Sequence, residues 1–228
     1  MFLKKKRLKY ETNNKKHLDR ILDLAEQIII NSKSNEEKYK NIHLYINTIG
    51  NTTLQQLLMQ LFRGEEVTHI NELFFDIGFY ISNNGKNIMS ILADENNESF
   101  EVDLTEDFVI PIAWNRNRFI SNLTHIGKEY SNPFKFIELN HYSYFFKPIN
   151  ITIMTNGNHS TLAGILKKEG KIKPTKIVNL NDRYKEIKFD GTYYRNINTN
   201  EILHEVKNFE LGAIFEIGRL ITENNIKI

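Results

Sequence analysis

The residues best suited to chemistry form one short polar turn between an apolar run and a helical pattern. The run Ile149 to Met154 is rich in β-branched residues and is typical of a strand. A helix that begins directly after a turn has backbone N–H groups without partners and the positive end of its dipole. Phosphate groups bind well at such a helix start. The sequence therefore predicts a phosphate-binding turn made of Asn156, Gly157, Asn158, His159, Ser160 and Thr161, with Ser160 and Thr161 opening the helix.

Two residues of this turn have specific expected roles. Gly157 lets the backbone approach a ligand closely because it has no side chain. His159 is expected to donate a hydrogen bond to a phosphate oxygen and is a candidate catalytic residue. Helix capping explains the same turn equally well, with Asn158 or Ser160 as the N-cap, although capping does not require a histidine. Both interpretations stay open at the level of the sequence.

Positive charge for the turn is predicted from Arg116 and Arg118, which follow the predicted strand Phe108 to Trp114. Loops after strands often carry binding residues, so both arginines are candidate phosphate ligands. A solvated strand end explains them equally well. Glu138 is the candidate catalytic carboxylate, on the basis of its position in the predicted strand Phe134 to Leu139 alone.

The order of strands, turn and helix between about residues 105 and 180 resembles the N-terminal domain of the ParB/sulfiredoxin superfamily. Gly157, Asn158 and His159 match the Gly-Asn-His core of that family's phosphate turn. Two positions depart from the family pattern. Asn156 replaces an acidic residue, and Ser160 replaces an arginine.

The resemblance implies that the turn holds nucleotide phosphates and that the reaction is NTP hydrolysis or phosphoryl transfer. It also implies a nucleoside triphosphate with Mg as the cofactors. A serine hydroxyl cannot reproduce the bidentate phosphate recognition of the missing arginine. Either Arg116 or Arg118 supplies that charge, or phosphate binding is weakened or lost. A nucleotide-binding protein is therefore the expected function, and a nucleotide is the expected partner.

A metal site built from protein side chains is not predicted. The Gly157 to His159 tripeptide also occurs in calcineurin-like metallophosphoesterases, but the other motifs that hold their two metals are absent from this sequence. His125 and His141 lack the spacing of metal ligands and are expected to be surface or packing residues. The chain has no cysteine, which excludes disulfides, thiol catalysis and thiolate zinc sites.

The composition is that of an ordinary globular protein, with 40% apolar and 25% charged residues among 228 and a formal net charge of +2. No apolar run approaches the ~20 residues that cross a bilayer, so no membrane partner is expected. The basic start of the chain lacks the apolar region of a secretory signal, and a cytoplasmic location is therefore expected.

A second function class is suggested by a basic block at the start of the chain, Lys4 to Arg7 with Lys9, Lys15 and Lys16. A few phosphate contacts give DNA affinity without sequence preference. The alternative function is therefore a non-catalytic DNA-binding or protein-interaction module of a mobile-element or phage-defence locus. DNA would bind through the region Lys4 to Lys16. A solvated terminus explains the same block.

The predicted fold class is α+β, with a helical N-terminal portion followed by a small mixed sheet with helices. Helical spacing of apolar residues assigns residues 1–64 to the helical portion, in which Gly50 is expected to separate two helices. Residues 65–228 are expected to form one α+β domain, with the ParB/sulfiredoxin-like core at about residues 105–180.

Three further elements are predicted around this core. One hairpin joins Ile88 to Ala93 with Phe100 to Leu104. A second hairpin runs from Ile187 to Tyr194, with a type I′ turn at its Asp-Gly step. A closing helix runs from Phe209 to Leu220, and its Glu216 and Arg219 are expected to be surface charges.

Overall fold

A computed structural model describes residues 2–68 and 100–227, with side chains described from residue 11 onward within those ranges. These residues form two compact units. One unit contains residues 2–50 and 180–227, and the other contains residues 51–68 and 100–179. In the first of these units, the last helix of the chain packs with the first helix.

The fold is α+β, as predicted. Its described helices are α1 (Phe2–Asn31), α2 (Asn35–Arg63), α3 (Arg116–His125), α4 (Asn158–Lys167) and α5 (Phe209–Glu223), with 3-10 turns at Lys128–Tyr130 and Arg183–Lys185. Its described strands are β1 (Val102–Asp103), β2 (Val109–Ile110), β3 (Ser143–Lys147), β4 (Ile151–Met154), β5 (Lys171–Ile172), β6 (Lys176–Asn179), β7 (Ile187–Phe189), β8 (Tyr193–Asn196) and β9 (Ile202–Glu205). None of the described helices is long and apolar enough to cross a membrane.

The predicted helix break at Gly50 is wrong, because α2 continues without interruption to Arg63. A glycine inside a helix costs only about 1 kcal/mol. Side chains on both sides of this glycine are buried, among them Ile46 and Leu57. Their burial outweighs the low helix propensity of one residue.

Two predictions lie partly outside the described residues. The hairpin arm Ile88 to Ala93 falls there, and the other arm contains β1, which pairs antiparallel with β5. The side chains of Lys4 to Lys9 also fall there, whereas Lys15 and Lys16 are exposed on α1. DNA binding through this region stays a prediction.

The larger sheet is small and mixed, as predicted, with the strand order β2-β4-β3-β6. β4 is parallel to β2 and antiparallel to β3, and β3 is parallel to β6. All four residues of β4 are buried. Because β2 and β4 are parallel neighbours, the segments that follow them meet at one edge of the sheet, where ligands commonly bind in α/β sheets. This edge carries the predicted turn.

The predicted strand Phe134 to Leu139 is wrong. Residues 133–137 have no regular structure, and residues 138–140 form a turn. The Phe134 N–H donates to Glu169 Oε1 at 2.8 Å, and the Ile137 N–H donates to His141 Nδ1 at 2.8 Å. These backbone N–H groups are therefore bonded to side chains and do not pair with a neighbouring strand.

The second hairpin is confirmed, but its turn is not of type I′. β7 and β8 pair antiparallel, with Phe189 opposite Tyr194. A type I′ turn needs two residues with positive φ, and here only Gly191 has one, at 102°. The Asp190 carboxylate accepts from the N–H groups of Thr192 and Tyr193, at 2.9 and 2.7 Å, and this shapes the turn instead.

The prediction of surface charges on the closing helix is wrong. Glu216 is 7% exposed, and its Oε1 accepts from the Phe189 N–H at 2.7 Å. Arg219 Nε donates to Glu216 Oε2 at 2.7 Å. The same guanidinium donates to the carbonyl oxygens of Tyr184 and Ile187. A buried ion pair therefore joins α5 to β7 and the turn before it.

Candidate functional site

Helix α4 begins two residues earlier than predicted, at Asn158, and Gly157 is its N-cap. Gly157 has φ 72° and ψ 17°, in the left-handed region that favours glycine. A Cβ on this residue would lie 3.0 Å from the Asn140 carbonyl oxygen and closer still to the His141 ring. The glycine is therefore required both by its backbone conformation and by the space around it.

The N–H groups in the first turn of α4 are available to a ligand. The first backbone bond of the helix runs from the Thr161 N–H to the Gly157 carbonyl at 3.0 Å. No side chain caps the helix. Within the described part of the chain, no acceptor is bonded to the N–H groups of Asn158, His159 or Ser160. Asn158 and Ser160 are therefore not capping residues, and the helix start can accept an anion.

Two side chains of the turn instead hold the segment that follows β2. Asn158 Oδ1 accepts from the Ile112 N–H at 2.6 Å, and His159 Nε2 accepts from the Asn115 N–H at 3.0 Å. Asn115 in turn caps α3, because its Oδ1 accepts from the Arg118 N–H at 3.0 Å. The turn thus helps to position Arg118, because His159 holds Asn115 and Asn115 caps the helix that carries Arg118.

His159 is held as a neutral donor. Because its Nε2 accepts a backbone N–H, the proton of the neutral ring resides on Nδ1. Burial, reinforced by the nearby Arg118 charge, lowers the pKa of His159 below its usual value of 6.5. No described residue accepts from Nδ1, although the residue is only 8% exposed. The ring can therefore donate to a bound anion, in the role predicted for it.

His141 and Ser160 form a hydrogen-bonded pair that the sequence analysis missed. The Ile137 N–H donates to His141 Nδ1, so the Nε2 of this ring carries the proton and donates to Ser160 Oγ at 2.9 Å. Ser160 Oγ then donates to the Gly157 carbonyl at 3.0 Å. A histidine that donates to a serine cannot also take its proton, so this pair is not a nucleophile with its base. His141 is a packing residue, as predicted.

A cleft of about 340 Å³ lies at the start of α4. Its lining residues are Trp114, Arg118, Asn122, Asn140, Asn156, Gly157, Asn158, His159 and Ser160. The Arg118 guanidinium lies 5.3 Å from the centroid of the Trp114 ring, and this ring meets His159 edge to face at 5.6 Å. One cation, one exposed indole and the free N–H groups thus share one cleft, which we call the α4 cleft.

Three predicted site residues lie outside the α4 cleft. Arg116 Nη1 lies 3.9 Å from the position that a Cβ would take on Gly64, away from the turn. Glu138 is exposed on the turn before β3. Thr161 is fully buried in α4, and its Oγ1 has no partner among the described residues. These three residues do not line the cleft.

Trp114, Asn122 and Asn140 line the cleft without having been predicted to do so. The only signal for Trp114 in the sequence is an aromatic residue directly before an arginine-containing loop at a strand end. The described lining has no carboxylate. Mg²⁺ is usually held through carboxylates and phosphates, so these residues do not fit a dedicated magnesium site.

Stability is expected to fall as the pH drops below about 6.5, because two buried histidines resist protonation. Burial lowers the pKa of His141 below 6.5, and burial with the Arg118 charge lowers that of His159. In the unfolded chain both rings take up protons near pH 6.5. The unfolded state then binds more protons and is favoured, until the pH falls below the folded-state pKa values.

Thermal unfolding between about pH 8 and about pH 5 checks this expectation. The melting temperature of a His141→Gln variant should depend less on pH than that of the native chain. The matched control is His125→Gln, because His125 is exposed on α3. An unchanged pH dependence in His141→Gln would contradict the assignment.

Comparison with curated proteins and with solved structures found no match for this chain. The resemblance to the ParB/sulfiredoxin superfamily accordingly stays a prediction. A family model, described as a family of unknown function (DUF6710), matches residues 3–228. This match covers nearly the whole chain. The chain therefore belongs to the DUF6710 family.

Proposed function

We propose that this protein binds a nucleotide in the α4 cleft, with the phosphates at the start of α4. The observation that carries the proposal is the set of N–H groups of Asn158, His159 and Ser160, which have no acceptor within the described residues. Together with the helix dipole they attract negative charge. The described lining has no carboxylate, and Ser160 is not activated, so the geometry supports binding better than it supports hydrolysis or phosphoryl transfer.

The phosphate end of the ligand would meet three kinds of donor. The N–H groups of the turn offer fixed dipoles, Arg118 offers a positive charge, and His159 offers its Nδ1–H. Arg118 would supply the positive charge that an arginine at position 160 supplies in the resembled family, where this chain has Ser160. Arginine suits this part because its planar group donates two parallel hydrogen bonds to phosphate oxygens.

The base of the nucleotide would lie against Trp114. This residue is 58% exposed although it is the one tryptophan of the chain and lines the cleft. Stacking of a base on an aromatic ring contributes about 1–3 kcal/mol. A volume of about 340 Å³ lies within the range of ligand pockets and accommodates a small phosphorylated molecule.

Titration calorimetry with ATP and CTP, with and without magnesium, tests the proposal. Quenching of Trp114 fluorescence in the same titrations reports directly on the cleft, because no other tryptophan contributes. Binding should saturate and should weaken in His159→Ala. No binding at millimolar nucleotide, or binding that is unchanged in His159→Ala, would reject the proposal.

Arg118→Ala should weaken nucleotide binding about tenfold or more. A hydrogen bond to a charged group contributes about 1.5–3 kcal/mol, and about 1.4 kcal/mol corresponds to tenfold in affinity. The matched control is Arg116→Ala, which removes the same charge two residues earlier on α3 but outside the cleft. Equal losses of nucleotide affinity in the two variants would indicate a general effect of net charge and not a direct contact between Arg118 and the phosphates.

A further inference from the structure

We propose a second binding site, for a phosphorylated small molecule, on the polar face of β7 and β8. It belongs to the unit that contains α1 and is independent of the α4 cleft and of the nucleotide proposal. A cleft of about 400 Å³ lies there between α1 and the hairpin, and we call it the hairpin cleft. The residues that carry the argument are Glu11, Lys15, Lys188, Asp190 and Arg195.

The hairpin has one apolar and one charged face. Phe189 pairs with Tyr194, and both are buried. Lys188 pairs with Arg195, and since side chains alternate along a strand these two lie together on the opposite face. Two like charges directly opposite each other are unfavourable. A negatively charged ligand bound on this face would therefore reduce the repulsion between Lys188 and Arg195.

The charges in the hairpin cleft are only partly neutralised by the protein. Arg195 donates to the Asp190 carboxylate through Nε and to the Asn200 carbonyl through Nη1, the latter at 3.1 Å. Within the described residues, the side chains of Lys15 and Lys188 have no hydrogen bond and no ion pair. Three positive side chains face two carboxylates, those of Glu11 and Asp190, which leaves a net positive charge.

A buried hydroxyl next to the cleft has no hydrogen-bond partner among the described residues and serves as an internal control. Thr192 is 6% exposed and lines the cleft, and its Oγ1 is buried without a hydrogen bond in the described part of the chain. Its backbone N–H is already used, since it donates to Asp190. This oxygen has almost no accessible surface, so a ligand in the cleft does not reach it.

The walls of the cleft are held close together by the backbone. A Cβ on Gly191 would lie 2.8 Å from the Lys15 backbone nitrogen, so the hairpin turn lies directly against α1. Glu11 also accepts from the Tyr193 hydroxyl at 3.2 Å. Lys15 is thus placed beside the turn before a ligand arrives, and such preorganisation favours binding.

These features select a phosphorylated ligand. A phosphate group carries most of two negative charges near neutral pH and has three strong acceptor oxygens. The two uncommitted lysines match these oxygens as donors. A cleft of about 400 Å³ is larger than a free phosphate ion needs, so a phosphate ester uses the space better.

Amide NMR of the full chain, titrated at constant ionic strength with glycerol 3-phosphate, inorganic phosphate or acetate, tests the site. Glycerol 3-phosphate should give saturable shifts at Gly191 and Thr192. The double variant Lys15→Gln/Lys188→Gln should bind about tenfold more weakly or worse. Lys16→Gln is the matched control, because Lys16 neighbours Lys15 on α1 but does not line the cleft.

Thr192→Val provides a second test that separates binding from folding. Because the Thr192 hydroxyl is not accessible from the cleft, valine should leave binding unchanged, and the melting temperature should stay the same or rise, since a buried unpaired hydroxyl is removed. Arg118→Ala should leave the shifts at Gly191 unchanged, which separates this site from the α4 cleft. Absence of saturable shifts, equal affinity in the double lysine variant, or equal response to acetate would overturn the proposal.

Discussion

Replacing Arg219 with methionine should lower the free energy of unfolding by about 3–5 kcal/mol. Arg219 Nε donates to Glu216 at 2.7 Å, and the side chain of Glu216 is only 9% exposed. Without the guanidinium, the buried carboxylate has no cationic partner among the described residues. Methionine keeps much of the apolar length of arginine, so the loss arises from the buried charge and not from missing volume.

Urea unfolding followed by circular dichroism measures this effect. The matched control is Lys185→Met, which breaks an ion pair of similar length, 2.9 Å to Asp182. Both of these side chains are largely exposed, so the change in stability should be small. A loss for Arg219→Met no larger than that for Lys185→Met would show that Glu216 tolerates burial without its partner.

Gly157→Ala should destabilise the unit that contains α4 by about 3 kcal/mol and abolish anion binding at α4. An alanine at φ 72° is disfavoured by about 1–2 kcal/mol. Overpacking adds about 1–3 kcal/mol, because the new Cβ would lie 3.0 Å from the Asn140 carbonyl and against the His141 ring. Relief of that clash would move the very N–H groups that are proposed to hold the phosphates.

Gly64→Ala is a close control for this substitution. Gly64 has nearly the same φ, 71°, but a Cβ there would have only Arg116 Nη1 nearby, at 3.9 Å. Gly64→Ala should therefore lose only the part of the free energy of unfolding that comes from placing alanine at positive φ, about 1–2 kcal/mol. It should retain nucleotide-induced quenching of Trp114. Thermal unfolding and fluorescence titration of both variants provide the comparison. Equal losses in both assays would mean that the contacts of Gly157 have no special role.

Much of the local structure is predictable from short stretches of this sequence. The hairpin from Ile187 to Tyr194, the closing helix from Phe209 and the strand before the turn each follow from a pattern within about ten residues. The helix after the turn was also predictable, but its start was misplaced by two residues. Gly157 caps it through its backbone conformation and without a side-chain hydrogen bond, so the polar side chains of the turn do not mark the helix start.

The predictions that failed concern residues whose partners are distant in the chain. The strand predicted at Phe134 does not form, because the Phe134 N–H donates to the side chain of Glu169, which lies 35 residues away. The charge of Glu216 is buried because the Phe189 N–H, 27 residues away, donates to it. A hydrophobicity pattern reports only the residue itself and its neighbours, so it cannot foresee such partners.

From the amino-acid sequence alone follow the α+β class and the glycine turn with its histidine before a helix, because backbone preference and hydrophobic periodicity act over a few residues. The tertiary structure decided that Arg118 and not Arg116 faces the turn, that Trp114 stands exposed beside it, and that Ser160 is bonded to His141. These outcomes depend on the parallel pairing of β2 with β4, which brings together segments more than 40 residues apart. Pairing between distant strands is a property of the whole packed unit and not of any short segment.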